Sequence, residues 1–98
     1  MTQPDLEISH ERSGAFGRYW APLADGLEAE MTYRFANDVM VINHTGVPPA
    51  FEGQGIALKL VKRAIADARK DGFKIVPQCS YVAVQFRRHP DWADLLAA

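Results

Sequence analysis

The sequence predicts an α+β domain built on a mixed β-sheet, and three observations predict it. Residues 27–36 alternate, with Leu27, Ala29, Met31, Tyr33 and Phe35 on one face and Glu28, Glu30, Thr32 and Arg34 on the other. That is the period of a half-buried strand. Ile56, Leu60, Val61, Ala64, Ile65 and Ala68 recur at helical spacing, so a helix follows. A short apolar segment, 73–77, comes next. Strand, crossover helix and strand together add a parallel pair to an antiparallel sheet. The expected architecture is an antiparallel N-terminal meander, one parallel strand after the crossover helix, and two main helices.

Each element has its own signal. Residues 6–11 predict a short strand and 15–20 a second, in which Ala15, Gly17 and Tyr19 alternate with Phe16, Arg18 and Trp20. Pro22, Asp25 and Gly26 mark a turn,. The strand 27–36 is followed by a tight turn at Asn37-Asp38 and a strand over 39–47,. Pro48-Pro49 ends that strand. The long helix begins at Ile56, carries Lys59, Lys62, Arg63, Asp67, Arg69, Lys70 and Asp71 on its polar face, and meets Gly72 as a C-terminal cap,. A second helix spans 80–88, with Val82, Ala83 and Phe86 inward and Ser80 as its N-cap,. A last short helix covers 90–96.

The chain has 98 residues and a formal net charge of −1, and is expected to form one domain over 1–98. A single cysteine excludes a disulfide framework,. His10, His44 and His89 have no ligand spacing, so no metal site is expected,. No apolar run approaches the roughly 20 residues of a membrane span, and the first twenty residues lack a signal-peptide core. A cytoplasmic protein without membrane partners is expected. The charge is uneven: residues 1–52 hold eight acids and three bases, and residues 53–98 hold eight bases and four acids. A basic half can meet a polyanion or balance the acidic half. No signature of a nucleic-acid-binding module accompanies it, so no nucleic-acid partner is expected.

The segment Phe51-Glu52-Gly53-Gln54-Gly55-Ile56-Ala57 joins a strand to the long helix. Glycine lets a ligand approach the backbone closely. The first N–H groups of a helix have no internal partner, and the helix dipole adds positive potential there. Such an entrance suits a phosphate. Lys59, Lys62 and Arg63, within the next two turns, could meet further phosphate charge. A Walker loop would need Gly-Lys-Ser/Thr where Gly55-Ile56-Ala57 stands, and a dinucleotide fingerprint would need a small residue at Leu58,. A phosphate held chiefly by backbone N–H groups is left.

Pro48-Pro49-Ala50-Phe51-Glu52-Gly53-Gln54-Gly55-Ile56-Ala57 resembles the acetyl-CoA pyrophosphate loop of the GNAT superfamily of N-acetyltransferases. Its motif is Gln/Arg-x-x-Gly-x-Gly/Ala: Gly55 and Ala57 fit, and Glu52 departs from it. Val76-Pro77-Gln78-Cys79-Ser80-Tyr81 and Arg87-Arg88-His89-Pro90-Asp91-Trp92 look like the small single-domain members of that group, over about residues 27–97. The resemblance implies acetyl-CoA as cosubstrate. The pantetheine arm would lie along Asn43, Thr45 and Val47, and the pyrophosphate on Gly53, Gln54, Gly55, Ile56, Ala57 and Leu58. Lys59 and Arg87 would stand nearby. The acyl group would enter a splay between the strand 39–47 and the strand 73–77. The acceptor would be a primary amine, of a small molecule or of a protein lysine, and the state a monomer or homodimer.

Acetyl transfer to an amine needs a neutral amine, a polarised carbonyl and a proton for the leaving thiolate. The tyrosine that many GNAT enzymes use as acid falls at Arg87 here, and Tyr81 is not at that place. Cys79, at a strand end just before a helix, is the substitute, as acid or as nucleophile; a buried structural cysteine is the plain alternative. His44, expected on the same strand face as Ile42, is a candidate base. Glu28, Glu30 and Glu52 are further candidates, with solvent exposure as their default. His89 is expected to order the C-terminal turn, and His10 has no supporting pattern. The leading function is an acetyl-CoA-dependent N-acetyltransferase; the alternative is a non-catalytic coenzyme A or acyl-CoA binding module.

Overall fold

A computed structural model describes residues 6–97. Five strands form one sheet in the order of the chain. They are β1 (Ser9–Ser13), β2 (Phe16–Pro22), β3 (Glu28–Ala36), β4 (Val39–Gly46) and β5 (Lys74–Pro77), with helices α1 (Ile56–Asp71) and α2 (Ser80–Arg88). The first four strands pair antiparallel, and β5 lies parallel to β4. The expected mixed sheet, crossover helix and two main helices are present.

The turns follow from their residues. Ser13 pairs with Phe16 across a two-residue hairpin whose first residue, Gly14, has φ of 61°; this is the glycine-first turn that matches strand twist. Asn37 and Asp38 both take positive φ between paired Ala36 and Val39, a turn that Asn and Asp tolerate. At the end of α1, Gly72 has φ of 79° and donates to the Ala68 carbonyl at 2.8 Å.

One sheet face is the core. Tyr19, Ala29, Met31, Tyr33, Met40, Ile42 and Ile75 are buried against Leu60, Val61, Ala64 and Ile65 of α1. Val82 and Phe86 of α2 join the same core, as do Trp92 and Leu95 of a 3-10 segment, Pro90–Leu95. Truncating a core residue such as Leu60 to Ala costs about 2–5 kcal/mol. The opposite sheet face carries Phe16, Arg18, Trp20, Glu28, Glu30, Thr32 and Arg34 by alternation,. Near the end of the described residues, Leu96 makes an isolated parallel bridge with Ile75.

Several boundaries differ from expectation. β1 lies at Ser9–Ser13 rather than 6–11, and β2 runs through Pro22 rather than stopping at Trp20. Leu27 precedes β3 and is exposed instead of buried. β4 ends at Gly46, one residue before Val47. Ser80 is the first residue of α2, not its cap; Cys79 holds the cap position, without a side-chain capping bond. Among the described residues, no helix is long and apolar enough to cross a membrane.

Candidate active site

β4 and β5 pair only from Val39↔Lys74 to Ile42↔Pro77. The Cys79 N–H then donates to the Ile42 carbonyl at 2.9 Å. Beyond that bond, β4 continues through Gly46 with ladder pairing only on its β3 side. Its other edge is left open where β5 has ended, so the backbone of residues 43–46 can pair with an extended ligand.

That edge borders a groove of about 470 Å³. Thr45 and Val47 form its strand wall, Gly53, Gly55, Ile56 and Ala57 its loop wall, and Tyr81, Gln85 and Arg88 of α2 the third side. Gly55 caps α1 with φ of 77°, and Gly53 has φ of 80°. Only glycine adopts these angles freely, and no atom lies where a Cβ would project from either. The first backbone bond of α1 runs from the Lys59 N–H to the Gly55 carbonyl at 3.1 Å, with no side-chain cap and no acid in the first turn. The N–H groups of the first turn are therefore free to meet an anion at the groove.

Cys79 is half-buried, and its thiol lies 3.7 Å from the Thr45 hydroxyl. The strand end and the helix cap thus set the thiol beside Thr45 of the groove wall, although Cys79 itself is not among the lining residues. Tyr81, set aside on sequence grounds, lines the groove from the first turn of α2. Burial pushes its phenol above the usual tyrosine range, with the Arg88 charge opposing. At neutral pH the phenol is protonated and can donate. The available signal was its place in the first turn of the helix after β5.

Thr45, Val47, Gly53, Gly55, Ile56 and Ala57 line the groove together, and so does the exposed Glu52, whereas Cys79 and the remaining candidates are not among its lining residues. Gln54 is exposed, and Leu58 and Lys59, half-buried, do not line the groove. Arg87 is exposed and outside the lining, while Arg88, one residue on, is part of it. Arg63 is turned away: it lies 3.3 Å from Asp67 and donates to the Ile8 carbonyl at 3.3 Å. A bulge corrects the placement of His44. Tyr33 pairs with Ile42 but Thr32 pairs with His44, so Asn43 is one extra residue in β4,. His44 therefore lies on the face opposite Ile42, exposed, with its ring beside Gly46. Asn43 turns to that outer face too, where its Oδ1 accepts from the Thr32 hydroxyl at 2.6 Å.

His89 accounts for itself structurally. Its Nδ1 is 2.8 Å from the Gln85 carbonyl oxygen, and its ring stacks on Trp92 at 3.9 Å. His10 belongs to a polar seam at the far end of the sheet. Its ring stacks on Tyr19 at 4.2 Å, and its Nε2 lies 2.6 Å from the Tyr33 hydroxyl. Tyr19 donates to Asp67 of α1 at 2.7 Å.

This arrangement has close relatives. Residues 18–95 match the family model described as GCN5-related N-acetyl-transferase. The solution structure of a GCN5-like protein from Staphylococcus aureus superposes with a TM-score of 0.72 at 29% sequence identity, covering 98% of this chain and 92% of that one. With the fold, the open strand edge and the glycine-led helix entrance in agreement with that match, the chain belongs to the GCN5-related N-acetyl-transferase family.

Proposed function

We propose that the protein transfers an acetyl group from acetyl-CoA to a primary amine. The observation that carries this reading is the convergence, on one groove, of an open β4 edge and an uncapped helix entrance with two positive-φ glycines. Backbone groups of residues 43–46 pair with the pantetheine amides. The N–H groups at 53–58 receive the pyrophosphate, and Arg88 at the groove wall adds a cation,.

In the reaction, the amine nitrogen attacks the thioester carbonyl, the carbon–sulfur bond breaks, the thiolate takes a proton and the ammonium nitrogen loses one. Cys79 and Tyr81 are the groups of this chain that can supply the thiolate's proton. Cys79 stands at the strand end beside Thr45, and the Tyr81 phenol, on the groove wall, is protonated at neutral pH,. Removing a general acid lowers kcat by roughly 10²–10⁴-fold, so comparison of Cys79→Ser with Tyr81→Phe assigns the role.

Acetyl-CoA at millimolar concentration should raise the melting temperature, and free thiol should appear only when an amine is added. Absence of any thermal shift overturns the reading. A shift with no thiol release across a broad amine panel favours a coenzyme A binding module instead, which the exposed Arg87 at the family's tyrosine position also suits.

A further inference from the structure

The face of the sheet away from the helices carries a second groove, of about 430 Å³, across β1, β2 and β3. Its lining includes Glu11, Ser13, Phe16, Arg18, Thr32 and Asn43. Phe16 is 64% exposed, the most exposed large hydrophobic side chain among the described residues. The groove's polar end is the Thr32–Asn43 pair, at the bulge that interrupts β4. Thr32 stands directly opposite His44 in the register. The next β4 residue is Thr45, whose hydroxyl meets the Cys79 thiol. One end of this outer groove is therefore separated from the thiol by a single strand.

We infer that this outer groove binds the amine acceptor, and that the acceptor is a primary amine carrying an aromatic or flat apolar body. The inference rests on the acetyl-transfer reading and adds the acceptor's class and place. The amine end lies at Thr32 and Asn43, where two oxygen acceptors face it, and the body lies against Phe16. Arg18 is a fixed wall: it contacts Glu11 at 2.7 Å and Glu28 at 2.6 Å, and its guanidinium lies 5.0 Å over the Trp20 ring. The same contacts argue against a polyamine. A polycation needs unpaired carboxylates, and Glu11 and Glu28 are taken by Arg18, with Glu30 a further 3.9 Å neighbour. What the groove offers is an aromatic edge, the neutral oxygens of Thr32 and Asn43, and a Glu11 carboxylate already paired with Arg18.

The test is an amide-resolved NMR titration of the isotope-labelled protein with 2-phenylethylamine, ethylamine and spermidine. Each is added with and without desulfo-coenzyme A, which cannot carry the acyl group. The expected result is perturbation of Phe16, Arg18, Thr32 and Asn43 amides by 2-phenylethylamine, at tenfold lower concentration than by ethylamine. In Phe16→Ser, whose fold the same spectra check, that preference should fall to twofold or less. Tighter binding of spermidine, a preserved preference in Phe16→Ser, perturbation confined to other residues, or self-association through Phe16 overturns the inference. Loss of the acetyl-transfer reading is recognised separately, as failure of the wild-type protein to bind acetyl-CoA by calorimetry. The titration without coenzyme still reads the amine site in that case.

Discussion

Gly17 of β2 pairs with Tyr33 of β3, and a Cβ at Gly17 would run into the Tyr33 ring. Tyr33 is 2% exposed and cannot swing away without leaving the core. Gly17→Ala should therefore destabilise the fold by about 1–3 kcal/mol, as overpacking does, and denaturant unfolding measures it. Cys79 is the residue whose role most needs a direct probe. A half-buried thiol 3.7 Å from the hydroxyl of Thr45, a residue that lines the groove, should react with a thiol reagent in the folded protein. Coenzyme A should slow that labelling; reaction only after denaturation would identify a structural cysteine. The His44 placement shows where residue-level reading fails. Strand alternation has a period of two, so one inserted residue moves everything after it to the other face. The insertion at Asn43 has no side-chain signature, because Asn43, His44 and Thr45 are all polar or half-polar and suit either face.

At the scale of elements, α1 and, apart from Leu27, β3 are legible because their apolar residues repeat over many positions. β1 was not: its inward residues are His10 and Arg12, and a strand with polar residues on both faces has no pattern to read. What anchors β1 is chemistry, not burial alone. His10 stacks on Tyr19 and meets the Tyr33 hydroxyl, while Tyr19 donates to Asp67 of α1 and Asp67 pairs with Arg63. Two titrations follow. Burial lowers the His10 pKa below 6.5; the Arg63 and Arg12 charges add to this and Asp67 opposes it. The neutral ring is thus favoured on folding, and its contribution is complete above about pH 6.5 and lost as pH falls through the depressed value. Burial, the Asp67 hydrogen bond and the Asp67 charge all raise the Tyr19 pKa above its usual 10.0. Its contribution is complete below about pH 10 and lost as pH rises further. Stability measured against pH should accordingly be flat between those limits. His10→Phe should remove part of the acid-side slope, and Tyr19→Phe part of the alkaline one. Unchanged slopes in both variants would mean that other groups govern the pH response.

For the molecule as a whole, the loop and the open edge are parts of one ligand site only if binding is felt by the entire fold. A domain of this size unfolds cooperatively, so a ligand that binds only the folded state stabilises all of it. At 100 times its dissociation constant, acetyl-CoA should add about 2.7 kcal/mol. In a domain of roughly 100 residues this raises the melting temperature by about 10–20 °C. Gly55→Glu is the informative control. Gly55 has φ of 77° with open space beside it, and no acid occupies the first turn of α1. A side chain there carries backbone strain of about 1–2 kcal/mol and places a carboxylate where the pyrophosphate would sit. The melting temperature without ligand should drop by several degrees, and the ligand-induced rise should vanish. Gly72→Ala separates the two effects. Gly72 has nearly the same angle, 79°, at the opposite end of α1, so its strain is alike while the ligand-induced rise should persist. If Gly55→Glu kept the full rise, the pyrophosphate would not lie at the α1 entrance, whatever the family resemblance implies.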